Sequence, residues 1–205
     1  MTSAALADHL VVLLHGLGRT RHSLLLMDRA LKEAGFSTLR MGYPSMRQPI
    51  ERHAASIARR LQEIPLPARL SFVTHSLGGL VVRQLLSFDA PWRSALSRIV
   101  MLAPPNRGAS LACTLDKGGV LRSIMGPSYA QIADGYAETL PVPDVPFAIF
   151  AGDVPWVPGD GLLTVDETRL DGAVEHHVVP VIHTFIMNHP EVIRGTAAFL
   201  RATPD

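Results

Sequence analysis

Cysteine is nearly absent from this sequence: Cys113 is the only one in 205 residues. One thiol cannot close an intramolecular disulfide, and no second cysteine or histidine stands near it at zinc-finger spacing. Neither a disulfide scaffold nor a structural metal site is expected. An excess of charge is missing too, since 19 Lys and Arg face 18 Asp and Glu for a net charge of +1. That balance gives no basic footprint for nucleic acid or for an anionic membrane, and it favours a neutral or weakly charged small molecule as partner. No apolar run approaches the roughly 20 residues of a membrane-spanning helix. Met1 to His9 also lacks the basic and apolar regions of a leader, so a cytoplasmic protein without an integral membrane segment is expected. Repeats and low-complexity tracts are absent as well. What remains is a composition of 47% apolar and 18% charged residues, enough to build one buried core. Residues 1–205 are therefore expected to form a single domain.

Along the chain, short apolar runs alternate with helical periodicity. Leu10–Leu14 reads as a strand buried on both faces that stops at His15-Gly16-Leu17-Gly18. Thr20 is a helix cap, and Leu24, Met27, Leu31 and Ala34 recur at helical spacing until Gly35. Ser37–Met41 predicts a second strand, and Pro49 opens a helix carrying Ile50, Ala54, Ile57, Leu61 and Ile64. Leu70–Thr74 predicts a third strand, with a helix through Val82, Leu85 and Leu86 after it, and Arg98–Ala103 a fourth. The Gly- and Pro-rich stretch 104–146 predicts short helices forming a partial cap. Phe147–Ala151 and His177–Ile182 complete six strands, and Pro190 opens a last helix with Ile193, Ala197 and Leu200. Strands and helices alternating in this way predict an α/β fold with a mostly parallel sheet covered on both faces and no large cap domain.

The segment Ser71-Phe72-Val73-Thr74-His75-Ser76-Leu77-Gly78-Gly79 puts a serine in a sharp turn between a strand and a helix. It resembles the G-x-S-x-G nucleophile elbow of the α/β-hydrolase superfamily, with Thr74 where the first glycine would stand. The plain alternative is that Ser76 only caps the helix. His15-Gly16-Leu17-Gly18, at the end of the first strand, lies where these hydrolases place half of an oxyanion hole. The resemblance thus assigns Leu17 and Leu77 to that role. As a nucleotide loop the segment fails, lacking both the lysine of a P-loop and the third glycine of a dinucleotide fingerprint.

In this superfamily the acid and then the histidine follow the serine. The resemblance makes His183 the general base, in the loop between the last strand and the last helix, with His189 as the other candidate. His176 and His177 are placed at the far end of that strand. Asp160-Gly161-Leu162-Leu163-Thr164-Val165 resembles a D-G-x-V-x-V stretch of bacterial lipases and esterases, which favours Asp160 as the acid over Asp153 and Asp166. Gly18-Arg19-Thr20, Tyr43-Pro44-Ser45 and Pro104-Pro105-Asn106-Arg107-Gly108 extend the likeness to lipase-like esterases and are expected around the acyl pocket. Leu111, Leu115, Val120, Leu121, Ile124 and Met125 are candidates to line it. The implied activity is hydrolysis of carboxylic esters through an acyl-enzyme, without cofactor or metal. A thioesterase or acyltransferase would use the same triad, and a catalytically silent binding protein of the same fold is the rival from another class. With only a partial cap, short to medium acyl chains are expected.

Overall fold

The computed structural model describes residues 8–110, 114 and 119–202. Six strands form one parallel sheet in the order β2-β1-β3-β4-β5-β6. They are β1 (His9–Leu14), β2 (Ser37–Met41), β3 (Arg69–His75), β4 (Leu96–Leu102), β5 (Phe147–Gly152) and β6 (Glu175–Val179). β3 and β5 are almost wholly buried, whereas β2 and β6 are partly exposed. This is the pattern of interior and edge strands in a sheet covered on both faces.

Among the described residues, the helices with both ends described are α1 (Leu25–Glu33), α2 (Ile50–Gln62), α3 (Leu77–Leu85), α4 (Val120–Met125), α5 (Pro127–Ala133), α6 (Val165–Thr168) and α7 (Pro190–Arg201). Among the larger ones α2 packs on α3, and α1 on α7. Thr20 caps a short 3-10 turn, Arg21–Leu24, which runs into α1. α2 ends two residues before Ile64, which precedes Pro65 and is thereby pushed out of helical geometry. Ile64 still packs against the core.

The last strand departs from its sequence-based boundaries: it covers Glu175–Val179, not His177–Ile182. Pro180 is the reason, because proline has no N–H to give to the ladder. His176 and His177 are consequently strand residues, paired in register with Ile149 and Phe150. Val181, Ile182 and His183 belong to the turn that follows, where Val181 N–H donates back to Val179 O at 2.8 Å. Among the described residues of 104–146 are α4, α5 and a 3-10 turn at Tyr136–Thr139, and none of them adds a strand to the sheet.

Candidate active site

Ser76 follows β3 directly and precedes α3, with φ 52° and ψ −122°. A positive φ is strained for a residue with a side chain, and three contacts hold this one. Ser76 N–H donates to Leu102 O of β4 at 2.8 Å, and Gly79 N–H donates to Ser76 O at 2.8 Å. At Gly78 a Cβ would stand 2.7 Å from the Leu14 carbonyl, so the helix approaches the end of β1 only because that position is glycine. Thr74, in the place of the first glycine, is fully buried and donates its hydroxyl to Val100 O at 3.3 Å. Its extra bulk is taken up by a hydrogen bond to the next strand.

Asp160 is buried with both carboxylate oxygens occupied. Oδ1 accepts the amides of Leu162 at 2.9 Å and Leu163 at 2.7 Å, and Oδ2 accepts His183 Nδ1 at 2.7 Å. His183 N–H also donates to Asp160 O at 2.9 Å, so the two loops are joined by backbone and side chain together. Asp153 is exposed, and Asp166 is exposed and paired with Arg169. His189 is the N-cap residue of α7. His176 meets Thr168 Oγ1 at 3.0 Å, and His177 meets Glu175 at 2.8 Å.

Ser76 and His183 line one cavity of about 280 Å³, together with Leu17, Arg19, His75, Pro105, Leu121, Met125 and others. Of the apolar candidates in the cap, Leu121 and Met125 line this cavity, whereas Val120 and Ile124 are exposed. Leu111 and Leu115 lie outside the described residues, as does Cys113. Leu77 is the first residue of α3, where a backbone N–H has no acceptor within its own helix.

Two histidines beside the motifs brace this arrangement. His15 Nδ1 donates to Gly16 O at 2.9 Å, and its Nε2 accepts Tyr43 N–H at 3.2 Å. Tyr43 Oη donates to His15 O, and its ring stacks on the imidazole at 4.4 Å. Arg19 N–H donates to Gly16 O as well, at 3.3 Å. In a trans peptide the C=O and the following N–H point opposite ways, so these two bonds fix the direction of the Leu17 N–H. Ser45 Oγ accepts Gly18 N–H at 3.1 Å. Tyr43 and Ser45 thus tie down the turn after β1 and do not line the cavity. His75 Nε2 donates to His183 O at 3.1 Å, with the two rings 5.0 Å apart. Burial, reinforced by the nearby His183, pushes the His75 pKa well below the ordinary histidine value. Both braces sit inside segments already conspicuous in the sequence, but their hydrogen bonds reach residues 28 and 108 positions away. Among the described residues, no group of three or more His, Cys, Asp or Glu could hold a metal ion, and no helix is long and apolar enough to cross a membrane.

Residues 5–91 match the family model described as "Putative serine esterase (DUF676)". No curated protein sequence matches the chain. Among solved structures, the mature lipase BlEst2 of Bacillus licheniformis superposes with a TM-score of 0.80 at 17% identity, over 95% of this chain and 92% of that one. The metagenomic carboxyl esterase MGS0156 gives 0.70 at 17% identity, over 95% and 75%. The thioesterase RedJ from the prodiginine pathway of Streptomyces coelicolor gives 0.60 at 16% identity, over 97% and 87%. At these identities the likeness is one of fold. The chain thus has the α/β-hydrolase fold, which it shares with these lipases and esterases.

Proposed function

We propose that the chain is a serine hydrolase of carboxylic esters, with Ser76 as nucleophile, His183 as general base, Asp160 as the acid that orients it, and the amides of Leu17 and Leu77 as oxyanion hole. The observation that carries this reading is the bond from His183 Nδ1 to the buried Asp160 carboxylate, made by a histidine that lines the same cavity as Ser76. A carboxylate only accepts, so Nδ1 holds the proton and Nε2 keeps its lone pair. That tautomer is the one a serine base requires.

In this reading Ser76 Oγ attacks the acyl carbonyl as His183 Nε2 takes the hydroxyl proton. The carbonyl oxygen becomes an oxyanion that receives the two amides, each worth about 3 kcal/mol. The carbon–leaving-group bond then breaks, and His183 returns its proton to the departing atom. Water, deprotonated by the same nitrogen, attacks the acyl-enzyme and frees the carboxylic acid and Ser76. The apolar wall from 104–146 suits an acyl chain. A cavity of about 280 Å³ lies at the small end of ligand sites, about 300 to 1,000 Å³, and so favours short to medium chains.

The test is Ser76→Ala against the parent protein, with p-nitrophenyl esters and a fluorophosphonate label. We expect label uptake to vanish and kcat to fall about 10⁴-fold or more, with the fold kept. In the parent, the rate should follow monomeric ester smoothly through its solubility limit. Retained activity in the variant would reject Ser76, and a jump at the limit would reject the partial-wall reading of 104–146.

A further inference from the structure

A second cavity of opposite character adjoins the apolar one. It encloses about 310 Å³ and is bounded by Arg19, Thr20, Arg21, His22 and Arg60 over a floor that includes Tyr43, with no aspartate or glutamate among its lining residues. Its three arginines come from three places: the turn after β1, the 3-10 turn before α1, and the last turn of α2. Arg60 is half-buried and spends one N–H on Gly42 O at 2.9 Å, which holds its guanidinium in place. The Arg21 stem lies against Gly42, and its carbonyl is held by Arg40 Nη1 at 3.2 Å. None of the three guanidinium groups has an ion-pair partner among the described residues. Nearby Arg40 and Lys32, by contrast, are both neutralised by Asp28, at 3.3 and 3.0 Å. Positive groups that line one cavity without counter-charge raise the local concentration of anions.

Arg19 lines both cavities. In the first cavity it stands with His75 and Ser76, so the basic cavity begins close to the proposed nucleophile. An ester held at Ser76 with its acyl chain against Leu121 and Met125 has its other half free to extend past Arg19. Three guanidinium forks exceed what one carboxylate can use and match a phosphate, whose several oxygens accept parallel N–H pairs.

We propose that this cavity is an anion subsite for a phosphate group carried on the alcohol or thiol part of the substrate. The enzyme would then act on amphiphilic esters with an apolar acyl chain and a phosphorylated leaving group. The proposal rests on the serine-hydrolase reading and extends it to the leaving group.

The test uses two matched pairs sharing a hexanoyl group: hexanoyl-coenzyme A against its neutral N-acetylcysteamine thioester, and 1-hexanoylglycerol 3-phosphate against 1-hexanoylglycerol. The pairs separate a phosphorylated thiol from a phosphorylated alcohol. We expect kcat/KM for the phosphorylated member of at least one pair to exceed that of its neutral partner by about tenfold or more, and the advantage to shrink between about 0.05 and 0.5 M salt. In Arg60→Gln and Arg21→Gln that ratio, taken within each variant, should fall several-fold through KM. Ratios near one in both pairs, or ratios the variants leave unmoved, would overturn the subsite while fluorophosphonate labelling of Ser76 left the hydrolase reading standing. Absence of labelling together with no turnover of any of the four esters would overturn both.

Discussion

The Asp160 carboxylate has no spare acceptor facing its loop. One oxygen receives two amides and the other receives His183 Nδ1. Asp160→Asn must therefore set an NH₂ group against donors or turn the imidazole to its other tautomer, and we expect kcat to fall by up to about 10⁴-fold. Asp153→Asn, at an exposed position, should change kcat less than about threefold. Steady-state kinetics on both variants decide the matter, and a severe loss confined to Asp153 would move the acid there. Ser76, Asp160 and His183 were legible in the sequence because each lies in a short motif or at a characteristic place beside a strand end. His15 and His75 were visible as residues but not as braces. What they do depends on Gly16 O, Tyr43 N and His183 O being brought to them, and nothing in the local pattern announces those contacts. The Arg19, Arg21 and Arg60 cluster was hidden for the same reason: two of its members are neighbours, and the third arrives on another helix.

At the scale of elements, five strands were readable to within two residues because their apolar runs are bounded by turns. The sixth was misplaced because the apolar run Val178–Ile182 continues past Pro180, where hydrogen bonding had to stop. The apolar residues of α4 show the converse difficulty. Val120 and Ile124, four apart, share one side and are exposed, while Leu121 and Met125, also four apart, share the side that lines the cavity. Composition gives no means of choosing between those faces. Strand ends matter more than strand middles for the candidate site. Gly152 closes β5 at the point where the Asp160 and His183 loops meet, and a Cβ there would lie 2.3 Å from Val181 O and 2.8 Å from Asp160 Cβ. Gly152→Ala must push these loops apart, so kcat should fall by about tenfold or more, with KM changing less. The part of the cavity wall that comes from 104–146, among it Leu121, Met125 and Tyr129, lies outside these loops and does not need to move. Comparing kcat and KM for the variant checks this, and a change in KM alone would show that Gly152 serves the substrate cavity and not the junction of the loops.

Across the whole molecule the buried histidines make stability depend on pH. His9, the first residue of β1, is fully buried, and this burial, with the Arg69 and Arg98 charges adding to it, lowers its pKa from 6.5 to about 4. Burial likewise lowers His15, His53 and His75. In the unfolded chain each returns to about 6.5 and takes up a proton that the folded state refuses. Between the folded and unfolded values the unfolded state therefore binds more protons, and stability rises with pH. The contribution is complete above about 6.5 and is lost as pH falls, for His9 until about 4. Unfolded carboxylates stay largely ionised above about pH 5, so the interval from 6.5 down to 5 reports chiefly on histidine. We expect the thermal midpoint to drop steadily across that interval. His9→Gln, which keeps a partner for the Ser71 hydroxyl that now lies 2.7 Å from His9 Nε2, should make the slope shallower whatever it does to the midpoint at neutral pH. Differential scanning calorimetry at a series of pH values measures both quantities. A midpoint that held constant from neutral pH to about 5, or an unchanged slope in the variant, would mean that the buried imidazoles accept protons in place and that the fold does not exclude them.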